Sequence, residues 1–342
     1  MSPTVLPPAA PTSGPAARAA QRNTQVPWRE RLAAQVQRRG ATAVLVLLVA
    51  VASAGSATFP TWSNISGILG SNAFVWLLAL GMTFVIITGG IDLSVGSMYA
   101  LGGVLAAYGA QTGGTWLALL LPLAVGAAWG TVQGLLIARA RMAPFIVTLA
   151  GLLGARGLLQ AVTHEGATTY LVPAGSWFRH LGAGVWTPVL LVAALFALGG
   201  LLLTRTRFGA TLTALGGSEN AALLMGLPVA RAKVLVYLLS GTLAAAAGAL
   251  GSARLGSGVT TIGVGYELTA ISAVVIGGTL LTGGSGSVGG TVSGVLLLAV
   301  IHNLIDHSFS QYGSAFTDTV NGAFLAVVVL LQTLLSRTQQ LN

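Results

Sequence analysis

Long apolar runs, separated by short polar or glycine-rich breaks, set the pattern of this chain. The first forty residues, rich in Pro, Ala and Arg, hold no sustained apolar period; the first apolar run covers 41–57. A membrane helix needs about 20 mostly apolar residues. On that ruler, further spans fall near 68–88, 94–110, 116–137, 145–163, 187–204, 234–252, 266–282, 288–305 and 317–335. The pattern predicts an all-α polytopic membrane protein of about ten transmembrane helices. Residues 41–337 form the transmembrane domain, and 1–40 a disordered leader with a short amphipathic helix near 28–38. The spans flanking Asp92 and the one near 266–282 carry glycine interruptions, which permit broken or re-entrant helices. Ala52-Ser53-Ala54 has the small residues of a cleavage site. A long Arg-rich leader ahead of many further spans favours an uncleaved first helix.

Composition agrees with the pattern. Only 7% of the 342 residues are charged and 54% are hydrophobic, against about 25% charged in an ordinary soluble domain. The 47 glycines suit closely approaching membrane helices. Cysteine is absent, which excludes disulfides and thiolate metal sites and leaves the compartment open.

The formal charge of +9 is explained by its distribution. With a cytoplasmic N-terminus and ten spans, the inside carries Arg18, Arg22, Arg29, Arg31, Arg38, Arg39, Arg139, Arg141, Arg205, Arg207, Arg231, Lys233 and Arg337. The outside carries Arg179 and Arg254, and Arg156 lies within a span. This is the positive-inside bias, so both termini are expected in the cytoplasm and no nucleic-acid partner is needed.

Thr88-Gly89-Gly90-Ile91-Asp92-Leu93-Ser94-Val95-Gly96-Ser97 places a carboxylate and paired glycines inside apolar sequence. A charge at membrane depth costs a few kcal/mol or more and usually faces a bundle interior or a wet cavity. Gly89, Gly90, Asp92 and Ser94 are therefore candidates for a transport pathway or a helix break. The plainer reading makes Asp92 a helix N-cap that accepts from nearby backbone N–H groups, with Ser94 sharing the task. A loose echo, Thr282-Gly283-Gly284 before Val288-Gly289, raises an internal repeat.

Enzyme chemistry finds no support. The only lysine, Lys233, lies between Ala232 and Val234, so no Gly-Lys-Ser/Thr phosphate loop exists. His164-Glu165 lacks a second histidine at 168. His302, Asp306 and His307 lie close together, and a solvated helix end accounts for them better than a metal site. No cofactor is expected. Between 205 and 233 lies the longest charged internal loop. Gly217 or Ser218 starts a helix of about two turns there, Glu219 complements its dipole, and Gly226 and Pro228 end it. Leu223, Leu224 and Met225 on this helix fit either an interfacial helix or a docking knob for a partner.

Several separated motifs, in order from about 60 to 335, make the chain resemble the permeases of ribose-type sugar ABC importers. These are 88–97, 205–226, Tyr237-x-x-Ser240-Gly241, and Ala273-Val274-Val275-Ile276-Gly277-Gly278 followed by Gly283-Gly284. The galactofuranose-type permease subunit is similar through 81–86, 144–151 and 274–281. The resemblance implies the ABC importer permease fold in a bacterial inner membrane and import of a monosaccharide by alternating access. It implies three partners: a cytoplasmic ATP-binding subunit, a sugar-binding protein, and a second permease copy or paralogue, all within membrane lipid. It also implies that Gly216, Gly217, Glu219, Asn220, Leu223 and Gly226 belong to an ATPase-coupling loop. The leader has no role inherited from the family. A competing reading is an ion- or proton-coupled transporter using Asp92, whose one companion in the spans would be Arg156.

Overall fold

The computed structural model describes residues 28–309 and the single positions 316, 319, 320, 322, 323, 326 and 330. Among them are twelve helices and no strand, and one isolated antiparallel bridge joins Leu171 to Ser257. In chain order the helices are α1 (Trp28–Gly55), α2 (Trp62–Ile87), α3 (Val95–Thr112), α4 (Gly114–Ala138), α5 (Pro144–Val162) and α6 (Trp177–Gly182). They continue with α7 (Trp186–Arg205), α8 (Arg207–Gly217), α9 (Glu219–Leu224), α10 (Val229–Leu255), α11 (Tyr266–Ile276) and α12 (Val288–Phe309).

Six described helices are long and apolar enough to cross a membrane: α2, α4, α5, α7, α10 and the Val288–Ile305 part of α12. The apolar Gly40–Gly55 part of α1 is shorter, and so is α11. The expected span 266–282 is thus a helix of 11 residues that stops at Ile276. Its end has a local cause, since Gly278 adopts φ +91° and the N–H of Thr279 reaches back to Val274 O at 3.2 Å. The expected span 94–110 is the 18-residue α3, which falls outside the six. Most of its side chains are buried by neighbouring helices. The expected span 317–335 lies almost wholly outside the described residues.

Helix α10 is the centre of the bundle, packed against α4, α3 and α2. Small residues make this possible. A side chain on Gly126 would meet Gly241 O at 2.5 Å, and one on Gly241 would meet Gly126 O at 2.5 Å, so the two backbones touch where lipid gives no hydrophobic drive. At the periphery, α5 and α7 expose Leu153, Leu158, Leu190, Leu198 and Leu201, the outward apolar stripe that hydrocarbon demands.

Three connectors, 88–94, 256–265 and 277–287, leave helical geometry inside this apolar body. Backbone of that kind persists at membrane depth only where protein or water satisfies it. Two of the three meet: Gly284 N donates to Ile87 O at 2.9 Å.

Candidate functional site

Helix α2 ends by local chemistry. Gly89 takes φ +76°, its N–H reaches Ile86 O at 2.9 Å, and Gly90 N reaches Val85 O at 3.2 Å. These two bonds form a Schellman ending, which needs a left-handed residue and so selects glycine. Gly90 has a different constraint, because a side chain there would meet the Tyr237 hydroxyl at 2.5 Å.

The chain then turns into Asp92, which is fully buried. Asp92 Oδ1 accepts from Ser94 N at 3.0 Å and Ser94 Oγ at 2.7 Å, and Oδ2 accepts from Ser240 Oγ of α10 at 2.7 Å. The capping expectation needs correction here. The N-cap of α3 is Ser94, which makes no side-chain cap bond, because its hydroxyl donates back to Asp92. Asp92 lies two residues before the cap and closes a local side-chain turn. Gln133 of α4 faces the same hydroxyl at 3.3 Å. The contact is made through Gln133 Oε1, and the Gln133 amide nitrogen is buried without a partner among the described residues. Because the Ser94 hydroxyl has one hydrogen and also meets Asp92, the two acceptors share that donor. Asp92 thus ties the α2–α3 connector to α10 directly and to α4 through Ser94. Arg156 is not its companion: its Nη1 donates to Thr260 O at 2.9 Å and Ile262 O at 3.3 Å.

The short helix expected after Gly217 forms as α9, and a second helix, α8, which the sequence reading did not expect, precedes it. Thr206 caps α8 by accepting from Gly209 N, and Ser218 caps α9 by accepting from Ala221 N at 3.2 Å. Gly226, at φ +73°, ends α9, with Gly226 N on Leu223 O at 2.9 Å and Leu227 N on Ala222 O at 3.1 Å. Buried Ala222 anchors α9, while Leu223 is 54% exposed, Leu224 90% and Met225 64%. Glu219 and Asn220 lie on the exposed first turn. Glu219 binds Lys233 of α10 through both oxygens, at 2.7 and 2.8 Å, a tether the sequence reading did not foresee.

Gly216 joins this loop to the helix breaks. A side chain on Gly216 would collide with Ile87 O and Gly284 N. One on Gly283 would meet Gly89 N at 2.7 Å, and one on Gly284 would meet Gly217 N at 3.0 Å. Backbones from three places in the sequence therefore touch directly at residues 87–89, 216–217 and 283–284. A side chain on Gly217 itself would meet nothing within 4 Å. The two Thr-Gly-Gly runs of the suspected repeat sit against each other but differ in role, since the first caps α2 and the second lies in a connector.

Among the described residues no cluster of three His, Asp or Glu side chains could hold a metal. The side chains of Asp306 and His307 lie outside the description. Sequence reasoning also missed Glu267, an acid in the first turn of α11. Its position just after two helix-breaking glycines, Gly263 and Gly265, was the available signal.

Residues 64–338 match the family described as branched-chain amino acid transport system / permease component. The ribose import permease of Escherichia coli K12 is 39% identical over 304 residues, covering 86% of this chain and 92% of the relative. That of Bacillus subtilis is 40% identical, with coverage of 86% and 92%. The fructose import permease of Bifidobacterium longum is 36% identical, covering 85% and 89%. No solved structure matches the chain. With most of its length matched, the chain belongs to this family of membrane permease components, whose sugar import permeases are among its relatives.

Proposed function

We propose that this chain is the transmembrane permease subunit of a binding-protein-dependent ABC importer for a monosaccharide. It is not itself an enzyme, because in this family ATP hydrolysis belongs to a separate subunit. A permease of this kind works in the bacterial inner membrane with an ATPase and a substrate-binding protein. In our reading the chain crosses ten times with both termini in the cytoplasm. Residues 41–337 form the permease domain, and 1–40 a cytoplasmic leader. A second permease, copy or paralogue, completes the path.

The observation that carries the mechanism is the glycine junction behind α9. The exposed tip of Leu223, Leu224 and Met225 is the surface that docks in the ATPase. Behind it, Gly216 and Gly217 lie on Ile87 and Gly284 without intervening side chains. A displacement of α9 is therefore passed, backbone to backbone, to the connectors 88–94 and 277–287. Close-packed interiors transmit such shifts because they are hardly compressible. Asp92 and Ser94 hold the start of α3 to α10, so the break moves as one body. A carboxylate enclosed by two serines lies badly for proton exchange with solvent, which weighs against the ion-coupled reading.

The test is retention of the partner ATPase during purification. Leu224→Asp should insert normally, since the tip lies outside the apolar body, yet lose the ATPase and sugar uptake together. Parental retention and uptake in a Leu223→Asp/Leu224→Asp double variant would falsify the docking assignment.

A further inference from the structure

Helix α10 ends at Leu255, and the chain does not turn at the bundle surface. It runs back into the interior as irregular backbone. Gly258 lies on Val104 and Ala107 of α3, and Gly263 lies on Gly96, eight residues lower, or about 12 Å along that helix. Gly256, Gly263 and Gly265 take φ +77°, +84° and +80°, and only then does α11 begin. Two counts place this point near mid-depth. Arg156, which holds the segment, is twelve residues along α5 from Pro144, about 18 Å. From the opposite end of the bundle, Asn72 and Trp76, which share a small cavity with Thr269 of α11, are ten to fourteen residues along α2, about 15–21 Å.

This irregular stretch is not sealed. Val264 is 73% exposed and Leu268 is 53% exposed, and Thr261 is exposed as well. Open backbone at membrane depth does not face lipid; it lines a wet cavity or lies against protein. The charges argue for the wet alternative. Arg156 and Glu267 are both partly exposed, attract one another, and form no ion pair within 4.0 Å among the described residues. Arg156 rests on the carbonyls of Thr260 and Ile262, and Glu267 accepts from the backbone N–H groups of Gly265 and of its own residue. Intramembrane charges held on backbone and left partly exposed mark a path. Their chemistry suits a neutral polyol, because a hydroxyl both donates and accepts: guanidinium N–H groups supply donors and a carboxylate supplies acceptors.

We propose that the 256–266 segment, held by Arg156 and flanked by Glu267, lines the sugar path at its midpoint, where Arg156 and Glu267 exchange hydrogen bonds with sugar hydroxyls. This rests on the importer reading above, and the two are tested separately. The chain has no cysteine, so Thr261→Cys, Val264→Cys and, on the outward face of α7, Leu198→Cys can be compared in the full transporter in membranes. A charged methanethiosulfonate should label 261 and 264 at least about tenfold faster than 198, since a charged reagent is excluded from hydrocarbon. Equal, slow labelling of all three overturns the wet segment, whatever the chain transports.

For the sugar contact, Glu267→Gln should lower the sugar moved per ATP hydrolysed, with ribose as the probe, by about tenfold, the loss of one charge-assisted bond. ATPase retention and binding-protein-stimulated hydrolysis should stay within about twofold of the parent. If hydrolysis and uptake fall together, or neither changes, Glu267 is structural and the contact is refuted. If the parent with its ATPase and binding protein moves no sugar while 261 and 264 label rapidly, the importer reading fails and the wet segment stands.

Discussion

The Asp92 carboxylate receives donors from two directions, Ser94 within its own connector and Ser240 148 residues away on α10, and this decides what replaces it. Asp92→Asn keeps an acceptor oxygen for Ser94, and the Ser240 hydroxyl can rotate to accept from the new amide. Asp92→Leu leaves three donors unpaired in a buried site, and each such loss costs about 1–3 kcal/mol. We therefore expect Asp92→Asn to retain most of the membrane level and uptake of the parent, and Asp92→Leu to lose both. Normal insertion of Asp92→Asn with abolished uptake would mean that the charge itself is required, reviving the ion-coupled reading. Ser240→Ala is the intermediate case. One carboxylate oxygen loses its donor, and we expect a lower melting temperature measured in detergent, corresponding to about 1–3 kcal/mol.

Among the elements, α8, α9 and the connectors separate docking from transmission. Gly216→Val places methyl groups where Ile87 O and Gly284 N already lie, so the junction must part while the exposed tip of α9 keeps its shape. We expect this variant to retain the ATPase through purification yet import sugar at under about a tenth of the parental rate, a loss of about 1.4 kcal/mol or more in coupling. Import at the parental rate would show that α9 acts by another route. These elements also show what sequence can and cannot reveal. The ends of α2 and α9 at Gly89 and Gly226 were legible, because a Schellman ending involves only residues within one turn of each other. The Ser218 cap was legible for the same reason. The distant members of the Asp92 network were not, since Ser240, which donates to Asp92, and Gln133, which meets Ser94, are brought in by tertiary packing. Nor was the tether from Glu219 to Lys233, fourteen residues on. The glycines of 266–282 permit a broken helix, and α11 does stop at Ile276. The place of the break is set by the turn at Gly278, which apolar composition alone does not mark.

On the scale of the whole chain, the ten expected crossings and the six helices of sufficient length and hydropathy differ for identifiable reasons. The first helix adds a shorter apolar stretch at Gly40–Gly55. Helix α3 is surrounded by protein, so its glycines and alanines never had to satisfy lipid. Helix α11 needs the 277–287 connector to complete its passage, and 317–335 would supply the tenth. The contacts are compatible with that count. The turns after α2, α8 and α11 converge at the glycine junction, and Leu171 meets Ser257 away from it, as alternating passages require. The orientation we propose rests on charge. In our reading thirteen basic residues, among them Arg337 beyond the described residues, belong to the cytoplasmic side and two to the other, because basic loops stay in the cytoplasm. Reporter fusions at residues 20, 140, 220 and 338 should therefore all give cytoplasmic signals, and one at 175 an external signal. The fusion at 220 carries the most weight, because it lies in α9. An external signal there would put the exposed tip of Leu223, Leu224 and Met225 beyond the reach of any cytoplasmic ATPase, and the coupling mechanism would fall with the topology.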